Sequence, residues 1–140
     1  MSHKVTTHWK GNMKFESDNP NGHNVLMDAG EAVGGNASGL APKAMMLSSL
    51  AGCSGIDLAS LFKKMRVEVD AYHIDVEGNL TEEHPKYYHT VSVQYHFYGK
   101  DLPKTKIEKA VNLSVERYCG VMEMFRQFSN VKTSIHYHSN

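Results

Sequence analysis

At 140 residues and 15.7 kDa the chain has the size of one domain, residues 1–140, and enough length to bury a core, which argues against two full domains. Fifteen basic residues balance fifteen acidic ones, so nucleic acid and anionic membranes are not expected as partners. Residues 1–10 lack the apolar run of a signal peptide, and no stretch approaches the roughly 18 apolar residues of a membrane span, so a cytoplasmic location is expected. There, two cysteines would stay reduced and would not form a structural disulfide framework.

In chain order, Val5–Trp9, Lys14–Ser17 and Asn24–Asp28 are short runs separated by Lys10-Gly11-Asn12 and Asp18-Asn19-Pro20-Asn21-Gly22. This turn chemistry predicts an antiparallel meander. The glycine-rich stretch from Asp28 to Ala41 reads as a loop. Pro42 then opens a proline-free run to Met65, predicted as one long helix. Apolar residues cover most of its circumference, which predicts a buried helix. Its middle, Ser48-Ser49-Leu50-Ala51-Gly52-Cys53-Ser54-Gly55, is small, and two interior glycines cost about 1 kcal/mol each against alanine. Close approach of another helix would offset that cost, so a dimer is expected.

Val67–Leu80 reads as a strand whose apolar phase shifts between Ala71 and Ile74, as at a bulge. Thr81–Lys86 is a turn. Tyr87–Tyr98 alternates, with Tyr87, Val91, Val93, Tyr95 and Phe97 on one face. Pro103 begins a second helix reaching Cys119, where Gly120 breaks it. Val121–Phe128 forms a short helix and Val131–Tyr137 a closing strand. The predicted class is α+β in the order β-β-β-α-β-β-α-α-β.

Cys53 lies inside the long helix and Cys119 at the end of the second, 66 residues apart (119 − 53). No local C-x-x-C arrangement exists, so only tertiary structure can join them. Two readings of the sulfurs are open at this point: small apolar fillers, which free cysteines often are, or a redox pair.

The segments Gly39-Leu40-Ala41-Pro42 and Met45-Met46-Leu47-Ser48-Ser49-Leu50-Ala51-Gly52-Cys53-Ser54-Gly55-Ile56-Asp57 resemble the central helix of the OsmC/Ohr family of osmotically inducible and organic hydroperoxide resistance proteins. Ile107-Glu108-Lys109-Ala110-Val111-Asn112-Leu113-Ser114-Val115-Glu116-Arg117-Tyr118-Cys119 is similar to that family's second cysteine helix. Asn21-Gly22-His23, Met27-Asp28 and Glu82-Glu83-His84-Pro85-Lys86 extend the likeness over nearly the whole chain, closer to a less characterised OsmC-like branch.

The resemblance implies an intertwined homodimer, with a buried central cysteine helix and antiparallel sheets outside. It also implies a thiol-dependent hydroperoxide reductase without a cofactor: Cys53 attacks the peroxide, Cys119 resolves the sulfenic acid as a disulfide, and an external dithiol restores both thiols. The ligand is an organic hydroperoxide or another apolar small molecule. Active members of the family supply an arginine from the N-terminal region and a glutamate early in the central helix. Here no arginine precedes Arg66, and Ala44 stands at the glutamate position. Candidate replacement activators are His23, Lys43, Arg117 or Arg126, or Glu123 as an orienting carboxylate. The rival readings are an OsmC-like redox-responsive or small-ligand-binding dimer without fast peroxidase activity, and a structural dimer with inert thiols.

Nine histidines raise a metal hypothesis, because His136 and His138 share a strand face that His96 could neighbour. No metal motif accompanies them, and histidines on a half-exposed sheet face predict no metal site.

Overall fold

The computed structural model describes residues 1–139, which fall into two compact units, residues 1–46 and the chain from Leu47 onward. In the first unit, β1 (Thr7–Trp9), β2 (Phe15–Ser17) and β3 (Val25–Met27) form the predicted antiparallel meander in the order β1-β2-β3. Gly11 and Asn12 turn the first hairpin with φ of 100° and 47°, values that need glycine or tolerate asparagine.

The loop after β3 is tied down. Asp28, nearly inaccessible, accepts hydrogen bonds at Oδ1 from the Ala29 amide (2.8 Å) and at Oδ2 from the Asn36 amide (3.2 Å), the Ser38 amide (3.1 Å) and the Ser38 hydroxyl (2.6 Å). Chiefly through the Ser38 hydroxyl, these donors hold its carboxyl below the usual range. A short 3-10 turn, Glu31–Val33, lies within this loop.

The helix α1 (Pro42–Met65) begins and ends where expected. Arg66 takes a left-handed φ of 56°, and the Val67 amide donates 2.9 Å to the Phe62 carbonyl, the closure that usually uses glycine. Burial of α1 is narrower than predicted. Leu50, Ser54, Leu58 and Phe62 form a single buried stripe at i, i+4 spacing, while Gly52, Ile56 and Ala59 face outward. By length and composition α1 also qualifies as a membrane span, contrary to the sequence expectation, yet its buried stripe belongs to the core.

The second sheet runs β4 (Ala71–Leu80), β5 (Tyr88–Tyr98), β6 (Asn130–His138). Residues 67–70 do not join β4, and the bulge expected near Ala71 is absent. The register instead breaks at the far end, where Asn79 pairs with Thr90 but Leu80 with Tyr88, leaving His89 as the extra residue. That shift turns Tyr88 into the core and leaves Tyr87 exposed, reversing the expected roles. Gly78 accommodates it: a Cβ there would meet the Tyr88 ring at 2.5 Å. β4 and β5 are antiparallel, whereas β6 pairs parallel to β5, so this sheet is mixed and not antiparallel throughout. The connection from β5 to β6 passes through both remaining helices, long enough for the crossover that parallel pairing requires.

Helix α2 (Lys104–Leu113) does not run unbroken to Cys119. It widens into a π-turn, Ser114–Tyr118, and Cys119 leaves helical geometry to cap α3 (Gly120–Arg126). The core joins Tyr88, Val91, Val93, Tyr95 and Phe97 of β5 to the α1 stripe, Ile107 and Val111 of α2, and Met122 and Phe125 of α3.

Candidate active site

Both cysteines are free and belong to the second unit. Cys53 is half-buried on α1, and Cys119 is buried at the π-turn exit. The fold brings their side chains, 66 residues apart in sequence, near enough for Cys53 to act on the Cys119 thiol. The placement of Cys119 follows from local chemistry. Its amide donates 2.9 Å to the Ser114 carbonyl, a bond made by the π-turn, and its Sγ accepts 3.3 Å from the Met122 amide as the cap of α3.

Burial pushes the Cys119 thiol up to about 12, and the neighbouring Cys53 and Asp57 side chains act in the same direction. The Met122 amide opposes them without prevailing. Cys119 is therefore a protonated thiol at neutral pH. Of the two, Cys53 is the more accessible.

Beneath the pair runs a polar chain that sequence reasoning did not identify. Ser54, Ser114 and Tyr95 are fully buried. The Ser54 hydroxyl lies 2.7 Å from Tyr95 Oη and 2.8 Å from Ser114 Oγ, and Ser114 Oγ donates 2.9 Å to Asp57 Oδ2. An ionised carboxylate accepts only, which fixes the direction of the chain. Ser114 donates to Asp57, Ser54 to Ser114 and Tyr95 to Ser54. Burial first, with Asp57 adding, raises the Tyr95 phenol to about 12, so that donor keeps its proton. Ser54 and Asp57 flank Cys53 in sequence by one residue and one helical turn, while Ser114 carries the carbonyl that fixes Cys119. The available signal was two polar residues, Ser54 and Ser114, set in otherwise apolar helix faces.

The proposed activators divide. Arg126 Nε donates 3.0 Å to Glu123 Oε1 while its Nη1 donates 2.7 Å to the Val115 carbonyl, so this pair braces the π-turn ahead of Cys119. Arg117 lies over the Tyr118 ring at 5.7 Å. His23 and Lys43 belong to the first unit.

An OsmC-like protein family model matches residues 34–134, which include both cysteines and the whole polar chain. The chain belongs to the OsmC family. Protein YhfA of Escherichia coli strain K12 is 30% identical over 128 residues, covering 90% of this OsmC-like chain and 91% of its own. Among solved structures, a hypothetical protein from Aquifex aeolicus VF5 superposes with a TM-score of 0.85 at 30% identity, covering 100% of this chain and 98% of that one. An organic hydroperoxide resistance protein OsmC from Legionella pneumophila shares the fold at 16% identity, with a TM-score of 0.71 and 97% of each chain covered.

Proposed function

We propose that this OsmC-like protein is a cytoplasmic, thiol-dependent hydroperoxide reductase with Cys53 as the attacking sulfur and Cys119 as the resolving one. The nearness of the two side chains, by which Cys53 helps raise the Cys119 thiol, carries this reading. A hydroperoxide-resistance relative of the same fold supports the substrate class. The Cys53 thiolate attacks the terminal peroxide oxygen, the O–O bond breaks, and the organic alkoxide leaves as the alcohol after taking a proton. The resulting Cys53 sulfenic acid meets Cys119, the S–S bond forms and water departs. An external dithiol then reduces the disulfide and is itself oxidised. Because Cys119 keeps its proton near neutral pH, the first step falls to Cys53.

The protein acts as a homodimer built on the outward face of α1. A Cβ added at Gly52 meets nothing within 4 Å among the described residues, and Ile56 is 73% exposed. A glycine without a crowding neighbour inside its own chain, beside an exposed isoleucine, suits a second helix approaching there. Gly52→Leu is expected to convert dimer to monomer in light scattering. An unchanged mass would remove this face from the interface.

Dithiol-dependent consumption of cumene hydroperoxide tests the chemistry. Wild type turns over, Cys53→Ser does not, and Cys119→Ser accumulates sulfenic acid without the intramolecular disulfide. The engagement of Arg126 by Glu123 and Val115 favours a second reading, a redox-responsive or apolar-ligand-binding dimer without fast turnover. No turnover by wild type would establish that second reading over the first.

A further inference from the structure

The opposite face of the second sheet carries a different set of side chains. β5 alternates, so Tyr95 and Phe97 point into the core while His96, between them, points away from it. His73 of β4 pairs directly with His96, as does His136 of β6, and Asp75 lies two residues beyond His73 on the same face. His73 Nε2 and His96 Nε2 each stand 3.4 Å from Asp75 Oδ2, and one ligand atom from each of the three residues lies within 4.8 Å of the others.

We propose that His73 Nε2, Asp75 Oδ2 and His96 Nε2 form a binding site for a divalent transition metal of the zinc type, with His138 orienting the His96 ring. Three observations carry it. Ligand atoms about 2.0–2.1 Å from a tetrahedral ion stand about 3.3–3.4 Å apart, the separation of both nitrogen–oxygen pairs. His96 Nε2 is buried and has no hydrogen-bond partner among the described residues, a costly state for a ring nitrogen that a metal would relieve. His96 Nδ1 lies 2.9 Å from His138 Nε2, the arrangement in which a ligating imidazole donates its other N–H to a neighbour and presents its Nε2 lone pair.

Two imidazoles and one carboxylate suit zinc, nickel or copper better than calcium or magnesium. The rings of His73 and His96 are stacked within 6° of parallel. A metal lies in the plane of each ligating ring, so loading turns the half-exposed His73 out of the stack. Sequence reasoning singled out His96, His136 and His138 and expected no metal; Asp75 and His73 supply what that set lacked.

The test is calorimetric titration of full-length, chelator-treated protein with ZnCl2, alongside a CoCl2 absorption titration. One zinc per chain with micromolar or tighter affinity is expected. Cobalt should give ligand-field bands without sulfur charge transfer, because the ligands are not the cysteines. His96→Gln and His73→Gln should each weaken binding by about tenfold or more, and the exposed His73 provides a variant that leaves the core intact. His136→Gln should change affinity less than twofold. The proposal is overturned by millimolar binding, which means an adventitious ion only, by sulfur charge transfer, or by unaltered affinity in folded His73→Gln.

Discussion

Ser54→Ala tests whether the buried polar chain is directional. The substitution removes the hydroxyl between Tyr95 Oη at 2.7 Å and Ser114 Oγ at 2.8 Å. Ser114 still donates to Asp57, so its loss is one accepted bond, but the fully buried Tyr95 O–H has lost its acceptor. Leaving a buried donor unsatisfied costs about 1–3 kcal/mol, and alanine in mid-helix returns about 0.5 kcal/mol over serine. The expected net loss is about 2 kcal/mol. Tyr95→Phe removes the donor at the open end of the chain and orphans no hydrogen, so about 1 kcal/mol is expected. In the double variant the orphaned hydroxyl no longer exists. It should be more stable than the sum of the single losses predicts by about 1 kcal/mol, and no worse than Ser54→Ala alone. Urea unfolding of the four proteins at one fixed protein concentration measures this coupling. Strict additivity within about 0.5 kcal/mol, or a loss in Tyr95→Phe exceeding that in Ser54→Ala, would refute the assigned direction.

Alkylation should separate the two sulfurs: with Cys119 at about 12 against about 8.5 for a free thiol, its thiolate fraction at pH 8 is lower by about three orders of magnitude. Peptide mass mapping should therefore find Cys53 labelled well before Cys119, and equal rates would contradict the buried-thiol description. The same raised value makes stability alkali-sensitive through Cys119. Its contribution is complete below its ordinary value, near 9.0, and declines as pH rises toward about 12, because the unfolded chain ionises first. Asp28 works in the opposite sense, since its carboxyl is depressed below 3.8: its contribution is complete above that value and is lost as pH falls through the lower folded value. Asp28→Asn should speed hydrogen exchange at the Asn36 and Ser38 amides at neutral pH and flatten their acid dependence, as NMR would show. Gly78→Ala should cost about 1–3 kcal/mol in urea unfolding, because the Tyr88 ring at 2.5 Å must move to admit the methyl.

Periodic segments were legible in the sequence to within a few residues: α1, the middle of β5 and the closing strand. The errors have local causes. One extra residue, His89, reverses the strand phase, so alternation read backward from Val91 selects Tyr87 when Tyr88 is the buried ring. Apolar residues cover most of the circumference of α1, but only the stripe of Leu50, Ser54, Leu58 and Phe62 is fully buried, with Leu47, Cys53, Leu61 and Met65 packed partly against the core, and periodicity cannot say what meets the rest. Parallel pairing of β6 depends on where a long connection returns, and alternation carries no direction. The π-turn leaves no residue-type signature before Cys119, since Val115 and Tyr118 also fit ordinary helical spacing.

The candidate site was legible in its sulfurs and illegible in what supports them. Cysteine is rare in this chain, so two copies on two helices draw attention without knowledge of contacts. Ser54, Tyr95 and Ser114 look ordinary individually, and their hydrogen bonds join positions 41 and 60 residues apart. Their arrangement nevertheless constrains the chemistry. A rigid, fully satisfied network beneath Cys53 ends on Asp57, whose negative charge disfavours a second anion nearby and helps keep Cys119 protonated. Ionisation of Cys119 is thus opposed. In the proposed mechanism, attack therefore falls to Cys53 and resolution to Cys119.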